Sequence, residues 1–578
     1  MSLHYGTPSS YTSDYGVLAS YAAARERGQQ NVPHGSFHDN LAEGAAADDG
    51  RNGDEIDDPP MPRPRFPTPY RAIPATVPST LPPGMKDAIA HERTPLLIPR
   101  IDEEGDCDAN ANADAERGRW LEEMRILFRY TLPVLGTHLL EYSLVIASVI
   151  SIGHLSTTAL AASTLGSMTA SVTGFSIVQG LASTLDTMLP SAWTSDNPRL
   201  VGLWAQRMTV VTAVSLIPIY VIWFNAEAIL LLLRQDLEVA RLAAVYLRYV
   251  SIGLPAYAFN GISRRYFQSQ GLFSVPTQII LVIAPINAFL NYFLVWGPRP
   301  FALGFIGAPL ASAISMNLVS IASIAYGTFF VPRTAWHPIC RKSFQSLTVL
   351  VQLGLAGVGQ TASEWWSWEL VGLAASLISP EALATQSVLL VSASTTYQAP
   401  FALSVATSVR IGNLLGEKNA ARAALSSKAS LLLTLIFSGI SSAVFLIFRK
   451  TWGHLFNDDS AVVTLVASIL PVVALFQVFD GLSAVTGGIL RARGKQFTGA
   501  LLNLSAYYVI GIPFGIWLAF KRDAGLHGLW YGLTVSLVYS AVAGVYLALT
   551  TDWAKEVRKV EERLEESGKI ADGEAGNH

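Results

Sequence analysis

Four carboxylates stand inside otherwise apolar stretches of this chain: Glu141, Glu364, Glu369 and Asp480. On membrane-insertion scales an acid at such a position costs roughly 2.5–3.5 kcal/mol, which makes each one a candidate for function. Glu364 and Glu369 frame the run Glu364-Trp365-Trp366-Ser367-Trp368-Glu369. At about 100° per residue the two glutamates lie roughly 140° apart around a helix, so they face different partners. Trp365 and Trp368 can present aromatic faces to a cationic or flat organic molecule through cation–π attraction. Burial disfavours the charged form of a carboxyl. A carboxyl facing a cavity can therefore hold a proton and release it when an organic cation arrives, which is the physical core of proton/cation exchange. The plain alternative is a structural carboxyl, neutral or paired with a nearby Tyr, Gln or Asn. For Glu141, with Tyr142 beside it and no positive neighbour in the sequence, both readings stay open. Asp480 lies in Phe476-Gln477-Val478-Phe479-Asp480-Gly481-Leu482. Gln360, Gln386, Gln398, Asn291, Asn503 and Tyr507 could line the same cavity, although hydrogen bonds between helices are the plainer role for any one of them.

The elements that must position these residues are apolar and long. Of 578 residues, 51% are apolar and 14% charged, and 13 are Trp; a soluble protein carries about 25% charged residues. This composition argues for a multi-span membrane protein. The two cysteines, Cys107 and Cys340, exclude a disulfide scaffold or a cysteine-rich metal site. A spanning helix needs about 20 apolar residues. Twelve stretches qualify: 128–152, 158–184, 203–224, 240–265, 275–296, 304–330, 346–378, 381–410, 424–447, 461–490, 497–520 and 525–550. Several contain proline, tolerated in membrane helices where neighbours re-satisfy the freed carbonyl. Arg199, Arg264, Arg265, Arg341, Lys418 and Arg491 fall in loops after even-numbered spans, and fewer basic residues follow odd-numbered ones. That bias places both termini in the cytoplasm.

Two six-span halves match at an offset of about 223 residues. Glu141 falls on Glu364, Arg234-Gln235-Asp236 on Asn457-Asp458-Asp459, and the segment ending at Gly271 on that ending at Gly494. Six spans per half give both halves the same orientation. Such a parallel repeat suits a transporter that rocks two bundles about a central site. The domain reading is an acidic, proline-rich disordered tail over 1–120, an N-terminal six-helix lobe over 126–339, a C-terminal six-helix lobe over 345–550, and a charged tail over 551–578. The first segment holds 14 of the 30 prolines and 19 acidic against 11 basic residues, whereas the remainder holds 24 acidic against 29 basic. That tail cannot bury enough apolar surface to offset its ordering entropy. Within it, Glu92-Arg93-Thr94-Pro95-Leu96-Leu97 resembles an acidic dileucine sorting signal, which clathrin-adaptor complexes read. The segment from Trp553 to Lys569 alternates charges around Val557, Val560 and Leu564 and reads as a short amphipathic helix or a solvated tail.

Four markers recur in order: Gly180-Leu-Ala-Ser-Thr-Leu-Asp-Thr187, Glu364-Trp-Trp-Ser-Trp-Glu369, Ala406-Thr-Ser-Val-Arg-Ile-Gly-Asn-Leu-Leu-Gly416 and Thr486-Gly-Gly-Ile-Leu-Arg-Ala-Arg-Gly494. With them the chain resembles the multidrug and toxic compound extrusion (MATE) family, in its eukaryotic and fungal branch, over about 126–550. The resemblance implies an all-α fold of twelve helices in two six-helix lobes, a V-shaped cleft, and proton- or sodium-driven efflux of organic cations. It implies that the family's acidic pair maps onto Glu364 and Glu369, and its span-ten acid onto Asp480. Three positions depart from the pattern. A glutamate of animal members maps to Val391, a histidine to Gln477, and the stretch after span two reads Ser191-Ala192-Trp193-Thr194.

The expected function is a secondary antiporter that exchanges protons for small cationic or amphipathic organic compounds. Its site is Glu364, Glu369, Asp480, Trp365, Trp368, Gln477 and Glu141. No Gly-x-x-x-x-Gly-Lys-Ser/Thr loop and no hydrolase or zinc motif occurs, so an ion gradient, and no cofactor, drives it. The alternatives are a sodium-coupled pump, a lipid-linked saccharide flippase, whose cavity would be basic where this one is acidic, and a non-transporting receptor or scaffold. A monomer in the lipid bilayer is expected. If the dileucine is read, the vacuolar membrane is favoured over the plasma membrane.

Overall fold

Helix starts in this chain are fixed by short polar side chains, and they repeat. Ser156 accepts a hydrogen bond from the Ala159 amide, and Ser379 accepts one from the Ala382 amide. Asp236 caps through Glu238 and Val239, and Asp459 through Ala461. Each pair is separated by the sequence offset of about 223 residues, so the repeat extends to the residues that satisfy free amides at helix N-termini. Gly271 and Gly494, at φ 79° and 72°, end equivalent helices in the left-handed conformation that glycine tolerates best.

The computed structural model describes residues 109–298, 300–456 and 459–572, and every regular element among them is helical. The first half contains α1 (Ala109–Gly153), α2 (Thr157–Ala170), a π turn (Ser171–Phe175), α3 (Ser176–Ala182) and α4 (Leu185–Trp193). It continues with α5 (Leu200–Phe224), α6 (Ala226–Leu232), α7 (Leu237–Val250), α8 (Leu254–Ser269), α9 (Ser274–Trp296) and α10 (Gly307–Phe329). The second half contains α11 (Leu347–Ser376), α12 (Pro380–Gly416), α13 (Ala420–Ile447) and α14 (Ser460–Ala492). Then follow α15 (Gln496–Leu504), a π turn (Ser505–Gly511), α16 (Ile512–Lys521), α17 (Gly525–Leu549) and α18 (Trp553–Asp572). Pro133, Pro218, Pro285, Pro400 and Pro471 lie inside helices, as membrane helices allow.

Ten of the described helices are long and apolar enough to cross a membrane. Two of the twelve expected stretches fall outside that set. Residues 157–182 are rich in Ser and Thr, and α11 carries Gln, Ser and Glu; both compositions lower the mean hydropathy. The helix α1 begins at Ala109, inside the segment expected to be disordered, and Glu123 on it is clamped by Arg410 and Arg422. The sorting motif Glu92, Leu96 and Leu97 lies outside the described residues. Arg264, Arg265 and Arg491, counted as loop residues above, lie within α8 and α14 because those helices run past their apolar stretches.

The two halves meet where α3 and α4 pack on α11 and α12. Gly357 lies against the Gly180 carbonyl and the Ser183 hydroxyl, and Gly412 lies against Pro190. The Thr194 hydroxyl donates to the Asn413 carbonyl at 2.7 Å. On the same side α18 buries Val557 and Val560, and its Leu564 packs on residues of both halves.

Candidate functional site

A cavity of about 620 Å³ opens between the halves. Its C-terminal wall is built from Glu364 on α11, Asp480 on α14, Tyr397 on α12 and Tyr507 in the second π turn. The Tyr397 hydroxyl and the Asp480 carboxyl both lie within electrostatic reach of the Glu364 carboxyl. Local bonds set the rotation of α11. The Trp366 indole N–H donates to the Val172 carbonyl of the first π turn at 3.1 Å, and Asn503 donates to the Gln360 carbonyl at 3.0 Å. Both π turns reach the cavity, through Ser171 and Tyr507. A π turn shifts helix phase and is frequent at functional sites.

The N-terminal wall is chemically different. Glu141 is ion-paired with Arg264 and lies 3.3 Å from His138 Nδ1. The sequence placed no positive neighbour beside Glu141; the structure supplies one, Arg264 from α8, together with the His138 imidazole a helical turn away. At the end nearest α4, Asp186 binds Arg265 Nε at 2.8 Å and stands 3.4 Å from Arg491 Nε, so one carboxylate serves both halves. Arg491 also donates to Ser404 at 2.8 Å, and its backbone carbonyl accepts the Thr187 hydroxyl. Gln496 in turn donates to Thr187 at 2.6 Å.

Of the residues expected to form the site, Glu141, Glu364, Trp365, Trp368 and Asp480 line the cavity. Glu369 does not; five residues beyond Glu364, it sits on another face of α11. Gln477 is also absent from the wall: it is buried, and its amide points at the Ala393 carbonyl, 3.4 Å away. Trp368, in the cavity wall, packs edge-on against Phe476 and at a tilt against Trp530. Gln386 accepts the Trp530 indole and Asn291 bonds Asn287, both bonds between buried side chains. The expectation of a purely acidic cavity is corrected, because Arg264, Arg265 and Arg491 line it as well. Sequence reasoning missed Asp186, Arg265 and Arg491 as site residues. Asp186 and Arg491 nevertheless fall within the first and last of the four markers. Among the described residues no three His, Cys, Asp or Glu side chains are grouped to hold a metal ion.

The MatE family profile matches twice, over residues 133–293 and 358–517, once in each half. An uncharacterized transporter of Schizosaccharomyces pombe is 37% identical over 78% of this chain and 83% of its own length. Multidrug and toxin extrusion protein 1 of Homo sapiens is 31% identical over 76% of this chain and 77% of its own. The crystal structure of the eukaryotic MATE transporter AtDTX14 superposes with a TM-score of 0.72 at 30% identity, covering 77% of this chain and all of that one.

Proposed function

Because the chain belongs to the MATE family of membrane transporters, we propose that it is a secondary antiporter that exports or sequesters small cationic or amphipathic organic compounds in exchange for protons. One observation carries this reading. Glu364 and Asp480 stand together in the wall of a cavity of about 620 Å³, while the ion pairs among the described cavity residues fall on Glu141 and Asp186. Small-molecule sites run to about 300–1,000 Å³, so the volume suits one organic molecule. Two neighbouring carboxyls that make no salt bridge among the described residues can exchange a proton for a cation, and Trp365 offers an aromatic face beside them.

In this reading the ten apolar helices, residues 157–182 and α11 make twelve spans. They form lobes over 126–339 and 345–550 related by the parallel repeat, with a V-shaped cleft between them and both termini in the cytoplasm. The transporter works as a monomer. The dileucine at Leu96 and Leu97 directs it to the vacuolar membrane through a clathrin adaptor, and the pump loads an acidic lumen. Glu369 and Gln477 act by supporting the helices that carry Glu364 and Asp480, since neither is part of the cavity wall.

The three cavity arginines are the observation that favours a second reading, a flippase for an anionic lipid-linked saccharide. Arg264 is held by Glu141, while Arg265 and Arg491 share the single carboxylate of Asp186, so one positive charge of the three is left over in the wall and an ionised Glu364 is the cavity acid that can offset it. The test is the internal pH of proteoliposomes under an imposed proton gradient while a panel of organic cations is added. Dissipation by some cations, lost in Glu364→Gln, supports the antiporter. A response only under a sodium gradient changes the coupling ion. Silence under both, from folded protein, moves the assignment to the flippase or to a protein that transports nothing.

A further inference from the structure

Among the described residues, Arg491 of the C-terminal half touches the Asp186 carboxylate and also stands close to Glu364, the proton site of the antiporter reading. Its Nε faces Asp186, and its guanidinium lies within electrostatic reach of Glu364 and Tyr397. Gly487 lies beside it: a Cβ there would be in ordinary contact with Arg491 Nη1 at 3.6 Å and would press on Gln360 Nε2 at 3.0 Å. The charged and titratable groups around it are Asp186 on α4, Arg265 on α8, Glu364 on α11 and Tyr397 on α12, with Asp480 further along its own helix. We propose that Arg491 is a positioning residue that reports the occupancy of Glu364 to the seam between the halves, where Asp186, Arg265 and Arg491 join α4, α8 and α14.

The inference rests on the antiporter reading, and its logic is a charge count. With Glu364 ionised, two carboxylates face two guanidiniums, and the group around Asp186 is balanced. When Glu364 takes a proton, Asp186 alone faces Arg265 and Arg491, and their mutual repulsion is no longer compensated. A substrate cation on Glu364 has the same effect, because it cancels the charge that Arg491 sees. In a cavity of low dielectric such an imbalance is poorly screened. The empty carrier is therefore locked at this seam, and either a proton or a substrate loosens it. An antiporter needs that rule, since a carrier that switches while empty dissipates its gradient. The bonds that would part together are the ion pair of Arg491 with Asp186, the Thr187 hydroxyl on the Arg491 carbonyl, and the Thr194 hydroxyl on the Asn413 carbonyl.

The test places spin labels at the exposed positions Asp196 and Glu417, on opposite sides of this seam, in the full chain with Cys107 and Cys340 replaced by serine. The protein is held in lipid nanodiscs, and dipolar broadening is read from mildly alkaline to mildly acidic pH. The expected result is a short distance at alkaline pH that lengthens on acidification. Glu364→Gln, a mimic of the protonated state, gives the longer distance throughout. Arg491→Met abolishes the pH response, Arg491→Lys retains it in part, and Arg491→Met cuts proton-driven uptake about tenfold, within the usual range of coupling between sites. If Arg491→Met misfolds, Asp186→Asn is the second variant, expected to give the longer distance at every pH. A pH response of wild-type size in Arg491→Met or Asp186→Asn overturns the inference. So does a wild-type distance that ignores pH while proteoliposomes still exchange cations for protons, and the antiporter reading survives that result. Wild-type proteoliposomes that exchange nothing remove both.

Discussion

Glu141 and Glu364 occupy matching positions of the two halves, yet Glu141 is clamped by Arg264 and His138 while Glu364 has the Tyr397 hydroxyl beside it and no salt bridge among the described residues. The repeat thus delivers two carboxyls to one cavity and gives them opposite chemistry. A carboxylate already neutralised by a guanidinium has little to offer a second cation, whereas one with a phenol beside it and no salt bridge keeps its capacity to exchange. Glu364→Gln is expected to abolish cation-driven proton flux in proteoliposomes without a comparable loss of thermal stability. Glu141→Gln leaves Arg264 without its counter-ion and is expected to lower stability by roughly 1–3 kcal/mol, read as a fall in melting temperature in detergent. Equal loss of flux in both variants, with both folded, would show that the two carboxyls act as one site.

Two tryptophans next to Glu364 have separable roles. Trp365 lines the cavity, whereas Trp366 points away and anchors its indole on the Val172 carbonyl. Trp365→Ala is expected to weaken aromatic or quaternary cations by about 0.5–2 kcal/mol, or about two- to thirtyfold in half-saturating concentration. Trp366→Phe removes one hydrogen bond and is expected to cost about 1 kcal/mol of stability with unchanged affinity. Transport competition across a series of cations of equal charge and different aromatic area separates the two effects.

Much of this arrangement is written locally. The helix starts at Asp236 and Asp459, the spacing of Glu141 and Glu364, and the five-residue step that sends Glu369 away from Glu364 are each visible in short windows of sequence. The group at Asp186 is not. Its partner Arg265 is 79 residues away, and Arg491 belongs to the other half of the chain. Apolarity also misplaces these arginines. The window over 240–265 ends where hydrophobicity ends, but the helix continues to Ser269, because its last turn is held by polar bonds such as the Gln270 amide on the Tyr266 carbonyl. Basic residues at such an end look like loop residues and prove to be part of the cavity. The π turn at Ser505–Gly511, which brings Tyr507 to the cavity, has no local signature in the hydrophobic pattern.

Outside the spans, one acid near the start of α18 gathers three cations. Glu556 faces Arg493 at 3.3 Å, Lys495 at 3.3 Å and Lys559 at 3.5 Å, while Trp553 lies under the Arg493 guanidinium. Burial pushes the Glu556 carboxyl up, but these three cations outweigh it and hold the group below its ordinary value of 4.5. A carboxyl with a folded value below its unfolded one stabilises the fold above the unfolded value and loses that contribution as pH falls through the folded value. The melting temperature is therefore expected to decline as pH drops below about 4.5. Glu556→Gln is expected to melt lower at neutral pH and to show a shallower acid decline, the two curves converging at the acid limit. Parallel curves would place the acid sensitivity elsewhere, with the Glu123 clamp on Arg410 and Arg422 the next group to vary.

The seam between the halves is closed by the absence of side chains. A Cβ at Gly357 would meet the Gly180 carbonyl and the Ser183 hydroxyl, and the latter already donates to that carbonyl at 2.6 Å. Backbone cannot give way as a flexible side chain does, so even a methyl group must separate α3 from α11. Overpacking of this kind costs about 1–3 kcal/mol. That cost falls on the closed seam alone if the halves part there during transport, since the open arrangement has room for the methyl. Gly357→Ala is therefore expected to shift the population toward the arrangement open at α4, with accelerated labelling of a cysteine placed at Ser191, a buried position facing Gly416. A global loss of melting temperature without a change in that labelling rate would mean that α3 and α11 move as one body, and that the halves part along some other line.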